Sequence, residues 1–267
     1  MVRALRSGRR GRRFKSAFPD HISRSILRYG IFSDVHGNLE AFKAVLDAYK
    51  TEKIDQYLFV GDIVGYGADP KKCISLLKEL KPFTVCGNHD WGVAGKTSMD
   101  YFNEYAKAAV LWTKEVLDQK EIEYLAGLQL IYQNKDLTLA HGSLDYPEAF
   151  AYVLDVYSAK KSMDILETPI GFVGHSHVPF ILFSGEDYPL ETRKHKVKLE
   201  PDKKYLVNVG SVGQPRDFDP RASYCVYDTD EKQVEIKRVE YDIKKAQEKI
   251  LKARLPRVLA YRLGQGT

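Results

Sequence analysis

The sequence predicts an α/β protein whose parallel β-sheet is covered by helices, and two observations lead to this prediction. Between residues 26 and 86, apolar runs typical of buried strands alternate with segments of helical periodicity in the order β-α-β-α-β. Each apolar run ends in a polar loop that contains glycine. The carboxyl ends of the strands form the functional edge of such sheets, so we expect a site in these loops.

The first part of the chain is predicted to hold three strands and two helices. The strands are expected at residues 26–31, 57–60 and 83–86, and the helices at residues 39–49 and 70–80. Asp69 and Pro70 mark the start of the second helix, because aspartate caps a helix and proline suits its first residue.

Residues 99–127 interrupt this alternation, and we interpret them as a helical cap inserted beside the site. A helix is predicted at residues 103–117, where apolar residues recur at helical spacing. Its inner face is expected to consist of Tyr105, Ala108, Ala109, Trp112 and Val116.

The second part of the chain is predicted to be rich in strands. Two short strands are expected at residues 130–133 and 137–140, and a further buried strand at residues 170–173. Alternating or apolar segments then predict an antiparallel meander at residues 179–183, 194–199, 205–209, 224–227 and 234–239.

Length and composition fit one globular domain, with 267 residues of which 44% are hydrophobic and 29% charged. We expect this domain to span residues 26–255, closing with an amphipathic helix at residues 241–255, and residues 256–267 to form a tail. No apolar run approaches the roughly 20 residues of a membrane helix. Three cysteines without metal-type spacing favour a reducing compartment, so we expect a cytoplasmic protein.

The basic charge of the chain is confined to its amino-terminal end. Nine Lys or Arg and one Asp give residues 1–28 a net charge of +8, which leaves −3 on the rest. A broad nucleic-acid-binding face on the folded body is therefore not favoured. Residues 1–25 lack the apolar core of a secretory signal, and we expect a disordered extension or the product of an upstream start codon. A transit-type segment and an arm that touches nucleic acid are the alternatives.

Polar residues that can bind a metal follow five of the predicted strands. They are Asp34 and His36, Asp62, Asn88 and His89, His141, and His175 and His177. Five of the seven histidines lie in these loops. A single histidine at a strand end is usually a structural residue, but five repeats at one sheet edge, each beside glycine, favour a metal site. Residues two apart on a strand point the same way, so Asp34 and His36 are expected to face one point.

The composition of this ligand set indicates the kind of metal. Oxygen and nitrogen ligands without cysteine suit Mn, Fe, Zn, Ni or Co. The set is too large for one tetrahedral ion and large enough for two ions that share a carboxylate. Two divalent ions outweigh the charge of two carboxylates and a hydroxide, so the natural guest of such a site is an anion such as a phosphate ester.

The motifs Asp-X-His-Gly, Gly-Asp-X-Val, Gly-Asn-His-Asp, His-Gly and Gly-His-Ser-His, in this order, resemble the calcineurin-like metallophosphoesterases. Residues 103–114 and 208–217 further resemble a bacterial subgroup of small phosphoesterases, of the YfcE type or diadenosine-tetraphosphatase-like. The resemblance covers about residues 28–240. It implies a four-layer α/β/β/α sandwich of two packed mixed sheets with flanking helices.

The resemblance also implies a role for each site residue. The ligands of one ion would be Asp34, His36 and His177, and those of the other Asn88, His141 and His175. Asp62 would bridge the two ions, and His89 would donate a proton to the leaving oxygen. The implied cofactor is a pair of divalent ions, with Mn expected first, and the implied reaction is in-line attack on phosphorus by a bridging hydroxide.

The chain departs from the protein serine/threonine phosphatases of this superfamily at the second motif. Those enzymes continue Gly-Asp-X-Val with Asp-Arg-Gly, whereas this chain has Gly65 and Tyr66. The usual partner of the catalytic histidine and an arginine phosphate clamp are both absent from that motif, which argues against a phosphoprotein phosphatase.

Arg216 is the candidate for a replacement clamp, because a planar guanidinium matches phosphate oxygens, and Gln214 is expected to assist it. The alternative is a surface arginine that pairs with Asp217 or Asp219.

The expected partner is a small phosphate ester, with a nucleotide as one option. Tyr66, Tyr146 and Tyr152 are candidates for stacking a base. Two other functions stay open. A catalytically degenerate scaffold would have lost ligands that are all present here, and a nuclease would need a basic groove that the net charge of the body does not favour.

Overall fold

The computed structural model describes residues 27–267, and the predicted amino-terminal extension lies outside the described residues. Two six-stranded mixed sheets pack face to face, and helices cover their outer faces. One hydrophobic core lies between the sheets, where Ile31 and Leu58 of the first meet Leu139 and Phe172 of the second. The predicted four-layer sandwich is confirmed. Within residues 27–267, no helix has the length and apolar character that crossing a membrane requires.

The first sheet has the strand order β3-β2-β1-β11-β12-β9. Its strands are β1 (Arg28–Phe32), β2 (Gln56–Phe59), β3 (Phe83–Thr84), β9 (Lys196–Lys198), β11 (Ala222–Asp228) and β12 (Gln233–Val239). β1 pairs in parallel with β2 and antiparallel with β11, so that Ile31 lies between Leu58 and Cys225. The parallel strands β1, β2 and β3 all end at the same edge.

The second sheet has the strand order β4-β5-β6-β10-β7-β8. Its strands are β4 (Ile131–Gln133), β5 (Leu137–Ala140), β6 (Ile170–Val173), β7 (Phe180–Phe183), β8 (Leu190–Thr192) and β10 (Tyr205–Asn208). β5, β6 and β10 are parallel neighbours at its centre, so the loops after β5 and β6 also share an edge.

The prediction of one antiparallel meander after residue 173 is wrong. β7, β8 and β10 belong to the second sheet, whereas β9, β11 and β12 belong to the first, and β10 runs parallel to β6. Alternation of apolar residues shows which face a strand buries but not which sheet it joins. The eleven predicted strands are all present within two residues of their predicted ends, and β8 was not predicted because its residues are largely exposed.

Eight helices flank the sheets in the described part of the chain. They are α1 (Leu39–Tyr49), α2 (Pro70–Leu80), α3 (Asn88–Ala94), α4 (Glu104–Val116), α5 (Gln119–Ala126), α6 (Val156–Ile165), α7 (Ile243–Lys252) and α8 (Arg257–Tyr261). α6 packs on the second sheet through Ala159 and Met163. α1 and α2 pack on the first sheet in a separate core around Phe42 and Leu77.

The predicted inner face of α4 is confirmed for Ala109 and in part for Trp112, which is half-buried against the same cluster, and it is wrong for Tyr105. The buried residues are Ala106, Ala109, Val110 and Thr113, whereas Tyr105 is 41% exposed. The prediction put the aromatic side chains inward. The observed face is lined by small residues because α4 lies close to Tyr66 and to the carboxyl-terminal helices, in one hydrophobic cluster.

The segment 256–267, predicted to be a tail, is folded. It contains α8 and a 3-10 turn at Arg262–Gly264, and the side chains of Leu259 and Leu263 are buried. A helix of five residues is too short to show a periodic pattern, which is why the sequence carried no signal for it.

Candidate metal centre

The loops that follow β1, β2, β5 and β6 meet at one edge of the sandwich and are joined by hydrogen bonds. The backbone N–H of Asp34 donates to the carbonyl of Gly61 at 2.9 Å, which connects the first two loops. The N–H of His175 donates to Oδ2 of Asp34 at 3.1 Å and thereby connects the second sheet to the first. The N–H of Gly174 donates to the carbonyl of His141 at 3.0 Å. The predicted site residues are therefore brought to one place.

Five of these residues adopt a left-handed backbone conformation that side chains other than glycine rarely take. Their φ angles are 55° at Asp34, 50° at His36, 61° at Asp62, 67° at His175 and 62° at His177. The predicted extended geometry of Asp34 and His36 is therefore wrong, since both lie beyond the end of β1. Each such residue costs about 1–3 kcal/mol, and clusters of them are typical of functional sites.

Three histidine rings are held with one nitrogen facing the centre of the site. A carbonyl oxygen only accepts, so a ring nitrogen bonded to it must carry the hydrogen. The Nδ1–H groups donate to carbonyls as follows: His36 to Val64 at 3.0 Å, His141 to Val60 at 2.8 Å and His177 to Gln214 at 2.6 Å. In the neutral ring the opposite nitrogen, Nε2, keeps its lone pair free to bind a cation.

The ligand atoms fall into two neighbouring sets. Within each set they lie within 4.8 Å of one another, and the sets are Asp34, His36 and His177, and Asp62, His141 and His175. A third group of the same kind, His36, Asp62 and His89, overlaps both sets. Nε2 of His177 lies 3.1 Å from Oδ1 of Asp34. Nε2 of His141 lies 3.2 Å from Oδ2 of Asp62, and Nε2 of His36 lies 3.6 Å from the same oxygen. This oxygen of Asp62 therefore lies between the two sets.

Several polar atoms of the predicted metal ligands are buried without a hydrogen-bond partner among residues 27–267. They are Oδ1 of Asp34, Oδ2 of Asp62, Oδ1 of Asn88 and Nε2 of His141. Leaving such groups without a partner is unfavourable, and native proteins rarely do so. The three oxygens can donate an electron pair, and Nε2 of His141 can do so once its proton has left, so the donor set fits divalent cations.

Comparison with known proteins identifies the family. The model of the calcineurin-like phosphoesterase superfamily domain matches residues 27–232. The protein belongs to the calcineurin-like phosphoesterase superfamily. This match confirms the resemblance that the motifs indicated. The family consists of hydrolases that act on phosphate esters.

Individual relatives cover nearly the whole chain. The uncharacterized protein MJ0912 of Methanocaldococcus jannaschii is 45% identical over 242 residues, which is 88% of this chain and 97% of that protein. The structure of a metallophosphoesterase from Sphaerobacter thermophilus is 37% identical with a TM-score of 0.79, and the match covers 91% of this chain and all of that one. Protein PH1004 of Pyrococcus horikoshii shares the fold at 22% identity, with a TM-score of 0.74 and coverage of 90% and 98%.

The electrostatics of the site favour the ionised form of Asp34 and Asp62, because the pKa of each is held below its usual value. Burial acts to raise the pKa of Asp62, but the neighbouring His141 and His89 rings hold it below its usual value. Burial acts to lower the pKa of His141, but the carboxylates of Asp62 and Asp34 raise it to about 10. Burial lowers the pKa of His175 to about 3. The ring of His175 is therefore neutral, which is the form that binds a metal.

Asp90 is a site residue to which the sequence analysis assigned no role, although it belongs to the Gly-Asn-His-Asp motif. Its buried Oδ2 accepts the N–H groups of Asp62 at 2.8 Å and Gly87 at 3.0 Å. Its Oδ1 accepts those of Ile63 at 3.0 Å and Val64 at 3.3 Å. Burial and the carboxylate of Asp62 raise the pKa of Asp90 to about 7, while the four donors favour its ionised form. Asp90 thus joins the loops after β2 and β3.

His89 lies beside Asp62 in an apolar surrounding. Its backbone N–H donates to Oδ1 of Asp62 at 2.9 Å, and its ring centroid lies 4.5 Å from Tyr66 and 5.0 Å from Phe102. Burial lowers the pKa of His89 well below its usual value, and Nδ1 is without a hydrogen-bond partner in the described chain. A Cβ on Gly65 would lie 2.9 Å from Cγ of this ring. The aspartate of the phosphoprotein phosphatases therefore has no room at position 65.

Arg216 and Gln214 lie beside His177, whose Nδ1–H donates to the carbonyl of Gln214 and whose carbonyl accepts from the N–H of Arg216. Oε1 of Gln214 accepts from Nε of Arg216 at 3.3 Å and from Nη2 at 2.8 Å, which fixes the plane of the guanidinium. The guanidinium carbon lies 5.6 Å from the centre of the Tyr66 ring.

The alternative ion pairs of Arg216 are not formed. Asp217 pairs with Arg238, and Asp219 pairs with Arg221 at 2.7 Å. Among residues 27–267, Arg216 has no carboxylate oxygen within 4.0 Å. Its charge is therefore available to an anion.

The three tyrosines proposed as base-stacking residues occupy different environments. Tyr152 stacks on His175, with the ring centroids 3.9 Å apart and the ring planes inclined by 17°. Tyr152 is 48% exposed. Tyr66 is buried against the site histidines, and Tyr146 is largely exposed. Tyr152 alone combines contact with a site residue and an exposed surface.

Proposed function

We propose that this protein is a dinuclear metal-dependent phosphoesterase that hydrolyses a phosphodiester or a phosphomonoester. The observation that carries the proposal is the pair of ligand sets, in which Oδ1 of Asp34, Oδ2 of Asp62 and Nε2 of His141 are buried without a hydrogen-bond partner in the described chain. Membership of the calcineurin-like phosphoesterase superfamily supports the reaction class.

The proposed ligands follow the two sets, and Asn88 is added to the second because the motif Gly-Asn-His-Asp resembles that of the family. One ion is assigned to Asp34, His36 and His177, and the other to Asn88, His141 and His175. Asp62 is assigned the bridging position, because its Oδ2 lies 3.2 Å from Nε2 of His141 and 3.6 Å from Nε2 of His36. The absence of thiolate from this set is the reason to propose Mn first, with Fe, Zn, Ni and Co as the other candidates.

The protein's own groups bind and orient the substrate in this proposal. When bound, the two cations lower the pKa of a water molecule and offset negative charge on the phosphoryl oxygens. Arg216 holds a phosphoryl oxygen with its planar guanidinium, which Gln214 keeps in place. His89 is assigned the role of proton donor to the departing alkoxide.

Two features bear on the substrate and the compartment. The exposed face of Tyr152 next to His175 supports a substrate with a planar group, such as a nucleotide. The three cysteines are free and buried, which supports a reducing compartment such as the cytoplasm.

The experiment that tests the proposal is hydrolysis of bis-p-nitrophenyl phosphate and p-nitrophenyl phosphate with and without Mn. We expect Mn-dependent turnover by the wild type. Asp62→Asn and His89→Ala are each expected to lower kcat by at least about 100-fold, since general acid catalysis alone contributes 10²–10⁴-fold. His195→Ala is the matched control, because His195 is an exposed histidine away from these loops.

A protein that binds metal at this site and turns over neither ester contradicts the proposal. That result would favour the alternative of a catalytically degenerate scaffold. Turnover that His89→Ala leaves unchanged would retain the phosphoesterase and remove the proton donor assigned to His89.

A further inference from the structure

The loop after β10 crosses from the second sheet to the first and contacts the loops that carry the candidate metal ligands. β10 ends at Asn208, and β11 begins at Ala222 in the other sheet. Near the start of this loop, Oγ of Ser211 donates to the carbonyl of Asp34 at 2.8 Å. The N–H of Gly213 donates to the same carbonyl at 2.9 Å. The crossing loop is therefore fixed to the ligand loop after β1.

The side chain of Asn208 connects the crossing loop to the ligand loop after β6. It is fully buried, and its Nδ2 donates to the carbonyl of Gly174 at 2.7 Å and to Oγ of Ser176 at 3.0 Å. Its Oδ1 accepts the N–H of Gly210 at 2.9 Å. Because a backbone N–H only donates, this last bond fixes which end of the amide is the oxygen. Asn208 thus bonds to the residue before His175 and to the residue after it.

The position of the His175 ring depends strongly on its backbone. The rings of His36, His141 and His177 are anchored by Nδ1–H groups that donate to carbonyls. The ring of His175 instead stacks on Tyr152, which is partly exposed. The backbone of His175 has a φ of 67°, a left-handed conformation that is strained for a residue other than glycine. The contacts that hold this backbone therefore decide where the ring lies.

The backbone of His175 also orients Asp34. Its N–H donates to Oδ2 of Asp34 at 3.1 Å. The other oxygen, Oδ1, is buried without a hydrogen-bond partner in the described chain and lies 3.1 Å from Nε2 of His177. Asp34 belongs to one set of ligand atoms and His175 to the other. A shift in the backbone of His175 would therefore disturb both sets.

We propose that Asn208 is a positioning residue of the metal centre, which holds the backbone around His175 in the conformation that binds the ions. This inference rests on the proposed function, because it takes His175 and Asp34 as metal ligands. Asn208 contributes no ligand atom itself. Its loss is expected to weaken metal binding while every ligand remains, since hydrogen-bond partners that orient metal ligands contribute about 10–100-fold to metal affinity.

The test is a titration of the metal-free protein with Mn by calorimetry. Asn208→Ala is expected to raise the Kd for Mn by about 10–100-fold. Asn134→Ala is the matched control, because Oδ1 of Asn134 accepts the N–H groups of Asp136 at 2.8 Å and Leu137 at 2.9 Å. These bonds lie at the start of β5, whereas His141 follows its end. Both substitutions are expected to lower the free energy of unfolding, but Asn134→Ala is expected to leave the Kd for Mn unchanged.

Ser176→Ala separates the positioning role from a general loss of stability. It removes one of the two acceptors of the Asn208 amide, so we expect a smaller rise in the Kd for Mn than Asn208→Ala causes. The two substitutions interrupt the same contact. The double variant is therefore expected to raise the Kd by less than the product of the two single effects. A full product would overturn the inference. If Asn208→Ala does not fold, an unchanged Kd in Ser176→Ala overturns it.

The remaining outcomes distinguish this inference from the proposed reaction. An unchanged Kd for Mn in folded Asn208→Ala overturns the inference and leaves the phosphoesterase in place. Equal rises from Asn208→Ala and Asn134→Ala also overturn it, because the effect would then be one of stability. Hydrolysis of bis-p-nitrophenyl phosphate is measured in parallel. A wild type that binds Mn more tightly than Asn208→Ala but turns over no ester removes the proposed reaction and keeps Asn208 as a positioning residue.

Discussion

Gly65 shows at the residue scale how this site differs from that of the protein serine/threonine phosphatases. Its φ is 98°, and any Cβ at this position would clash with the His89 ring. The structure therefore explains the missing aspartate, because His89 occupies its place and packs on Tyr66 instead.

Replacing Gly65 tests this packing, and Gly95 offers a matched control. Gly95 also has a left-handed backbone, with φ of 69°, but a Cβ there would meet nothing closer than 4.0 Å. We expect Gly95→Ala to lower the free energy of unfolding by about 1 kcal/mol, the cost of the backbone alone. Gly65→Ala is expected to cost at least about 2 kcal/mol more and to lower kcat on bis-p-nitrophenyl phosphate. If urea unfolding shows that both substitutions lower the free energy of unfolding equally, the His89 ring moves aside at little cost.

Asp90 is a second single residue on which the site depends, because its carboxylate accepts four backbone N–H groups. Asn at this position offers one acceptor oxygen and places an NH₂ group against N–H groups. We expect Asp90→Asn to lower the free energy of unfolding by about 3 kcal/mol and to weaken Mn binding, because two ligand loops lose their common acceptor.

The control for Asp90 is Asp155→Asn. Asp155 caps α6, where its side chain accepts the N–H of Ser158 at 2.8 Å, and Asn caps a helix about as well as Asp. A change below about 0.5 kcal/mol is expected there. If the two substitutions cost the same in urea unfolding, Asp90 does not hold the loops together.

At the scale of elements, α4 shows what periodicity leaves undecided. Several stripes of its sequence have helical spacing, and the aromatic side chains of Tyr105 and Trp112 made one of them look like the buried face. The structure instead buries Ala106, Ala109 and Val110, so that the helix approaches its neighbours closely. The choice depends on the partner surface, which the sequence of the helix does not contain.

Two truncations on α4 distinguish the predicted face from the observed one. Val110→Ala is expected to lower the free energy of unfolding by about 1–2 kcal/mol, because Val110 is fully buried. Tyr105→Ala is expected to change it by less than about 0.5 kcal/mol, since Tyr105 is an exposed residue. A larger loss from Tyr105→Ala in guanidinium unfolding would restore the face predicted from the sequence.

For the whole molecule, the site depends on the two sheets packing together. Asp34 and Asp62 follow strands of the first sheet, whereas His141 and His175 follow strands of the second. The succession of strands along the chain and the polar loops at their ends are local features, and they were predicted from the sequence together with the fold class. The loops meet only because of the packing, which those local features do not fix.

Other features of the site could not be predicted because they are not local. The left-handed backbone of Asp34 and His36 has no signature in residues other than glycine. The role of Asp90 depends on N–H groups from three other loop residues and Gly87. The place of the carboxyl-terminal turn depends on the packing of Leu263 in one cluster with Tyr66, which is nearly 200 positions earlier in the printed sequence.

The most direct test of the central claim is a titration of the metal-free protein with Mn, with bound ions per chain and hydrolysis of bis-p-nitrophenyl phosphate measured together. If the protein is a dinuclear phosphoesterase, its activity reaches a plateau when two ions are bound per chain. The Asp62→Asn variant is expected not to reach this activity. A plateau at one ion per chain, or two bound ions without turnover, would contradict the dinuclear mechanism.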